Sequence, residues 1–538
     1  MKNRSNSLKR LFSRLQFAYF GAQTRWRISR IARRVAALAQ PEDSSGPVLI
    51  FNASARLGSL SQNAAFSLLT AWGLRLAGLP VVHYACNSGL SRCVLATDRE
   101  DHTKPPPCSS CIAQSRRLYA GADTRWFSYA EDTSLAAQLA GLDLPALVEF
   151  EYGSWAYGQL VLPSLRWILR RHHLVDDEPT QYLMRQFILS AHNLSREFSA
   201  FLDETDPRLV IVFNGMMYPE AVVRRISQER DIPVITHEVA FRPFSAFFTA
   251  GQATAYPIDI PPEFELSPDQ NAQLDAYLEQ RFQGKFTMAG IQFWPEMHGL
   301  DQALIAKIEQ FKQVVPVFTN VIFDTSQVHA NTLFSHMFAW LDHTLQLIKA
   351  HPETLFVIRA HPDEMRPGTK KQSRESVRQW VEKNQLKALP NAIFIDSQEY
   401  VSSYALIQRA KFVMVYNSSI GLEAALMNVP VLCAGRARYT QYPTVFYPSS
   451  LQEYSSKVEA FLDENVIDVP SEFLHQARRF LYYQLFRTAL PFDRFLQAHP
   501  RPGYVRLSSF PVQALYPQNA PAVNAVYQGV ARDAPFLV

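Results

Sequence analysis

YNSSIGLEAALMNVPVLCAGRARY, residues 416–439, reads without a break as loop, helix, strand and loop. It follows KFVMV (411–415), a short apolar run bounded by charge, which is the pattern of a strand buried on both faces of a parallel sheet. The strand hands over to Asn417, Ser418 and Ser419. Ser418 or Ser419 is placed to cap the helix that buries Leu422, Ala425 and Leu426, and Gly421 would let a ligand approach the first turn. Free N–H groups at a helix start, two hydroxyls and the helix dipole together favour an anion such as phosphate.

Working outward, the same alternation recurs on both sides of this stretch. Strands are expected at VVPVFTNVIFD (314–324), TLFVIRAHPDE (354–364) and NAIFID (391–396), with helices at 333–350 and 374–386 between them. An earlier unit repeats the scheme. PVLIFNAS (47–54) leads through a loop with Gly58 into a helix over 63–76, then come PVVHYA (80–85), RLVIVFNG (208–215) and IPVITHE (232–238), with a long helix over 180–201 covering the sheet. Strands alternating with helices require parallel sheets. The expected fold class is therefore α/β, with two Rossmann-like doubly wound domains facing a cleft. The boundaries read as a basic arm 1–44, a first domain 45–300 with a Cys-rich insertion at 86–111, a second domain 301–472, a closing helix 473–498 that returns to the first domain, and an extended tail 499–538. FRPFSAFF, within the aromatic segment 238–256, reads as a loop over the cleft. Proline-rich sequence and FWPEMHG in 257–300 read as a linker.

The 538 residues contain 47% hydrophobic and 19% charged residues, a globular mixture. No apolar run is long enough to cross a membrane, and no secretory signal is evident, so a cytoplasmic location is expected. The net charge of +4 is uneven: residues 1–41 carry ten basic residues and no acid, leaving 43 basic against 49 acidic residues in the rest. Leu8, Leu11, Phe12, Leu15, Phe17, Phe20, Trp26, Ile28 and Ile31 are interleaved with those charges. That suits an amphipathic helix on an anionic membrane face, with a solvated tail as the plain alternative. No second basic stripe accompanies it, so nucleic acid is not the expected partner. Cys86, Cys93, Cys108 and Cys111 have the spacing C-x6-C-x14-C-x2-C. The CSSC half has good geometry for a structural zinc and the other half does not, so zinc stands against free thiols there. Cys433 reads as core.

RAHPDE (359–364) closes the strand two before the Asn417 loop. Arg359 and His361, at a turn stiffened by Pro362, lie where strand ends of an open sheet bind ligands, and with Ser418, Ser419 and Glu423 they make a cradle for a nucleotide phosphate. Asn214, His237 and Glu238 end strands of the first unit in the same way. The order RAHPDE, DSQEY and AKFVMVYNSSIGLEAALMNVPVLCAGRARY resembles the donor domain of the capsule polysaccharide biosynthesis family of GT-B glycosyltransferases, well over about residues 310–490 and loosely over 205–250. The resemblance implies a nucleotide-sugar donor, with His361, Ser418 and Ser419 on the nucleotide and phosphate and Glu423 on a ribose or sugar hydroxyl. It also implies a glycan or glycolipid acceptor, and the basic arm, from its own composition, would hold the chain peripherally on the inner face of the plasma membrane. Transfer needs a base for the acceptor hydroxyl and stabilisation of the leaving phosphate. Arg359, His361 and the helix start supply the second. Glu238 is the expected base, with His237 and Asp324 as alternatives, and with no DxD motif no catalytic metal is expected. A sugar-nucleotide epimerase and a non-catalytic nucleotide-sugar-binding scaffold are the competing functions.

Overall fold

Each of these apolar runs forms a strand, and together they make two sheets of the same winding. The computed structural model describes residues 2–41, 46–55, 59–283, 297–366, 372–501 and 503–538, with the backbone alone for 2–15 and 18. The Gly58 loop and the start of FWPEMHG lie outside the described residues. In the first sheet Asp123–Phe127, Val81–Cys86, Val48–Asn52, Leu209–Phe213 and Val234–Val239 are parallel neighbours in that spatial order. In the second, Ala392–Ile395, Thr354–Arg359, Gln313–Phe318, Val413–Val415 and Val431–Cys433 are all parallel. Both arrangements place the first strand beside the fourth. The crossovers turn opposite ways there, which opens a crevice at the carboxyl ends. Asn52 and Asn214 flank one crevice; Thr319, Asn320 and Asn417 flank the other.

Several boundaries differ from the sequence expectation. FRPFSAFF is a turn only over 241–244: Ser245–Thr249 pairs antiparallel with Val234–Val239, and Phe247 and Phe248 are buried. Aromatic residues suit a strand buried on both faces as well as a covering loop. The segment assigned as linker builds the second domain's flank. Pro268–Phe282 starts with a capping box from Ser267 and Gln270, and its Leu274 and Leu278 pack among Phe318, Val415 and Phe480. The closing element runs as Ser471–Tyr482 and a π-helical turn Tyr483–Arg487, and Leu490–Pro491 then pairs with Ser245–Thr249 at the edge of the first sheet.

The tail is not extended. Tyr504–Leu507 pairs with Leu496–Ala498 and with Leu60–Ser61, and Pro521–Arg532 is a helix that buries Ala522, Val523, Val526 and Val530. Proline at the first helical position is a start signal rather than a breaker. The approach is close enough that a Cβ on Gly73 would come within 2.2 Å of Val523 Cγ1.

The basic arm forms the helix Lys2–Leu38, and part of its described apolar face is turned to the protein. Ile28, Ile31, Ala32 and Val35 join the core of the first domain, while Phe17 and Phe20 lie edge-on to His499 at 5.4 and 6.2 Å. Periodicity identifies an apolar stripe but not what covers it. Trp26 stays 58% exposed, beside exposed Arg25, Arg30, Arg33 and Arg34. Among the described residues no helix is long and apolar enough to cross a membrane.

Candidate functional site

A cavity of about 490 Å³ opens at the crevice of the second sheet, within the range of small-molecule sites. Arg359, His361, Asn417, Ser418, Ser419 and Glu423 all line it, and so does Asp324. A second cavity of about 260 Å³ lies at the crevice of the first sheet, lined by Asn52, Asn214, His237 and Glu238. Thr325, next to Asp324, belongs to its wall, so the two cavities adjoin at that turn.

The polar wall of the larger cavity is held by its own hydrogen bonds. Asn320 Nδ2 donates to Asn417 Oδ1 at 2.7 Å and so ties the two strand ends of the crevice. Thr319 Oγ1 donates to Arg359 O and accepts the His361 N–H, both at 3.2 Å. The Asp363 N–H donates to His361 Nδ1 at 3.1 Å. This places the proton of the neutral ring on Nε2, leaving a donor for a ligand oxygen. Burial pushes the His361 pKa down, with Asp363 and Asp324 opposing it.

The helix after this loop, Ile420–Leu426, is shorter than its pattern suggests, and neither Ser418 nor Ser419 caps it. The expected capping role is therefore corrected: Ser419 itself has helical backbone angles, which aim its side chain away from the first-turn N–H groups. Gly421 also has a different reason. A Cβ there would stand 2.2 Å from Tyr439 Oη, which donates to Ser418 O at 2.8 Å, so the glycine makes room for a tyrosine that pins the loop.

Positive charge comes instead from arginines. Arg359 is 2% exposed, donates through Nη1 to Asp396 O, and has no partner for Nε or Nη2. Burial pushes its pKa down to about 10, against the pull of Glu399 and Asp396, and an arginine at that value is still charged at neutral pH. Arg438 lies over the rings of Phe241 at 4.2 Å and Tyr256 at 4.7 Å, with Nη1 buried and unpartnered. Arg436 lies on the same wall. Sequence reading passed over both, although GRAR closes the stretch it began from. Buried guanidinium nitrogens without partners at a cavity wall are suited to a bidentate anion.

Glu423 is buried and already engaged: one oxygen accepts from Arg281 and the other from Tyr404 Oη at 2.6 Å. It holds the wall as well as facing the cavity. Glu364, the last residue of RAHPDE, is 1% exposed and accepts the Val377 N–H at 2.7 Å. Burial pushes its carboxyl up to about 8, and Asp396 adds to this. The folded pKa thus lies above the unfolded value, so ionisation opposes folding between pH 4.5 and about 8. The wild type is expected to lose stability as pH rises through that window, whereas Glu364→Gln keeps the acceptor and removes the dependence. Urea midpoints of the two, equal near pH 5 and separated at pH 8, would show this; parallel curves would refute it.

In the smaller cavity Glu238 Oε2 accepts from Asn214 Nδ2 at 3.0 Å and Oε1 accepts the Val239 N–H at 2.8 Å. Asn214 is held in left-handed backbone (φ 60°), its Oδ1 accepting the Met216 N–H. His237 is 2% exposed and stacked on Phe248 at 5.1 Å, and burial pushes its pKa down to about 3. An imidazole that holds no proton until such acidity is a poor acceptor of one. Asp324 is exposed, and its Oδ1 accepts the Ser326 N–H at 2.9 Å, so it shapes the turn between the cavities.

Cys86, Cys93, Cys108 and Cys111 line one further cavity of about 390 Å³ that shares Cys93 with the Glu238 cavity. Burial pushes Cys86 and Cys93 up to about 12, so without a metal they are neutral thiols. Among the described residues, the group of metal-ligating side chains drawn close together is a different one, His172, His173 and His336.

Residues 291–454 match the family described as capsule polysaccharide biosynthesis protein. The resemblance carried by RAHPDE and YNSSIGLEAAL is borne out over that segment, which contains the polar wall of the larger cavity from Asn320 to Arg438. No curated protein matches the chain. Among solved structures, KpsC of Thermosulfurimonas dismutans, a beta Kdo 2,7 transferase, is similar at 15% identity and TM-score 0.32, over 58% of this chain and 85% of that one. A UDP-GlcNAc 2-epimerase from Neisseria meningitidis is similar at 13% identity and TM-score 0.26, over 82% and 99%. Likenesses this distant decide nothing between transfer and epimerisation.

Proposed function

We propose that the chain is a glycosyltransferase of capsule or envelope glycan synthesis, moving a sugar from a nucleotide-sugar donor to a polysaccharide or glycolipid acceptor. The observation that carries this reading is the pair of adjoining cavities. The larger has unpartnered guanidinium nitrogens of Arg359 and Arg438 beside His361 and Asn417; the smaller presents the carboxylate of Glu238. In this reading the donor's phosphates lie against Arg359, Arg438 and the Ser418–Ser419 loop, with the His361 Nε2–H donating to a phosphate oxygen. As the bond from sugar to phosphate breaks, negative charge grows on the leaving oxygen. Fixed cationic donors in a site partly closed to water stabilise that charge more than they stabilise the bound donor. The acceptor hydroxyl enters from the smaller cavity and passes its proton to Glu238, with Asp324 at the junction as the alternative base.

Two further elements belong to the proposal. Among the described side chains of the first helix, Tyr19, Trp26 and the exposed arginines would meet an anionic lipid surface. A zinc at the four thiols would be structural, since none of the four lines the donor cavity.

The test is thermal stabilisation by CMP, UDP, CDP and GDP, because a ligand bound only by the folded state raises its stability, by about 2.7 kcal/mol at 100 times Kd. One nucleotide is expected to shift the melt of the wild type, and His361→Ala to lose the shift measured against its own ligand-free melt, since the variant also loses the acceptor of the Asp363 N–H. The donor site is refuted if no nucleotide shifts the wild type. Consumption of a nucleotide sugar without any acceptor would favour the epimerase instead.

A further inference from the structure

We propose that His172, His173 and His336 bind one divalent transition-metal ion, with zinc as the fitting case, and that this ion ties the two domains together. His172 and His173 follow the helix Tyr157–Leu169 of the first domain; His336 precedes the helix Met337–Ala350 of the second. One ligand nitrogen from each lies within 4.8 Å of the others. His173 Nε2 and His336 Nε2 are 3.3 Å apart. Two nitrogens on one tetrahedral zinc, each at about 2.0–2.1 Å, are separated by about 3.3–3.4 Å, so this edge already has the length a zinc site requires.

The surroundings supply the second half of the argument. Glu375, from the second domain, accepts from His173 Nδ1 and also from the backbone N–H groups of His172 and His173, at 2.8 and 3.0 Å. A carboxylate on the far nitrogen fixes the tautomer, so that His173 Nε2 carries a lone pair, and it makes the ring a better ligand. Imidazole ligands suit zinc, nickel and copper rather than magnesium or calcium. The three rings leave one tetrahedral position for water. Arg166 lies nearby, but its Nε is committed to His172 O at 3.0 Å.

Without a metal, the Ala339 N–H donates to His336 Nδ1 at 3.1 Å, which keeps the ring proton on Nε2. Loading the site moves that proton to Nδ1, so His336 gives up its cap on the helix in exchange for the ion. The cluster lies in a seam where the Arg374 N–H donates to Arg170 O at 2.8 Å and Arg374 pairs with Glu100. An ion there would add a bridge to a seam already held by Glu375 and by the Arg170 guanidinium over the Phe323 ring at 4.9 Å.

The experiment is equilibrium dialysis of the chelator-stripped, full-length chain against micromolar zinc, counting bound equivalents. The wild type is expected to bind one equivalent more than His336→Ser and than His172→Gln, whatever the four thiols bind, and Glu375→Gln to bind that equivalent about 10-fold more weakly. Serine restores a helix cap at position 336, so His336→Ser should melt with the metal-free wild type; if it does not fold, His172→Gln gives the same reading. Equal equivalents in wild type and histidine variants, or none in the wild type, would overturn the proposal.

Discussion

Glu238→Gln is expected to lower kcat by about 100- to 10,000-fold, the range for removal of a general base, with nucleotide binding in the larger cavity unchanged. The variant separates chemistry from binding because the two groups of residues lie in different walls. Glu238 ends a strand of the first sheet, and the donor loop ends a strand of the second. Glutamine keeps one oxygen to accept from Asn214 or Val239 and turns its amide nitrogen on the other donor, so one of the two hydrogen bonds is kept, and the intact nucleotide shift separates loss of the proton acceptor from loss of the fold. The measurement is kcat and KM with the donor identified by thermal shift, beside the shift itself. A fall in kcat with the shift intact is the expected result. Turnover within a few-fold of wild type would remove Glu238 from the role and move it to Asp324, whose Asp324→Asn variant then becomes the one to lose activity. A scaffold would show nucleotide binding in both proteins and turnover in neither.

The sequence was most legible where burial on both faces of a sheet leaves continuous apolar runs. KFVMV, TLFVIRA and RLVIVFNG all became strands, and because ligands gather beyond strand ends, the polar residues just past them converged on cavities. It was least legible where two solutions share one pattern. An apolar stripe on the first helix fits a membrane or a protein core, and Ile28 and Ile31 took the core. A glycine at a helix start fits a close ligand or a close neighbour, and Tyr439 is the neighbour. Contacts between distant segments left no local trace. Nothing in HH at 172–173 announces His336, and nothing in the helix Pro268–Phe282 announces that Arg281 reaches Glu423. Arg438 was within the first stretch read, but a loop arginine becomes informative only when its guanidinium is seen to be buried without a partner.

Glu423→Ala is expected to destabilise the second domain by about 3–5 kcal/mol, the cost of breaking a buried ion pair by removing one member. The side chains of Arg281 and Glu423 are only 15% and 7% exposed. Burial lowers the Arg281 pKa, but Glu423, Tyr277 and Tyr404 outweigh it and raise it above the ordinary value, so the guanidinium stays charged in its buried place and needs a counter-charge there. Without Glu423 the cation has lost its counter-charge and Tyr404 Oη its acceptor. The double variant Arg281→Met with Glu423→Leu removes both charges and is expected to recover most of the loss, because apolar replacement of a buried pair is often neutral or stabilising. Urea unfolding followed by a probe in the second domain measures both. The outcome also decides what Glu423 is for. A residue that chiefly held a ribose hydroxyl would leave the urea midpoint in place and cost nucleotide affinity alone. A residue that fixes the short helix Ile420–Leu426 against Pro268–Phe282 moves the midpoint first. It then weakens nucleotide binding because the Ser418–Ser419 loop is no longer held in register with His361 and Arg359.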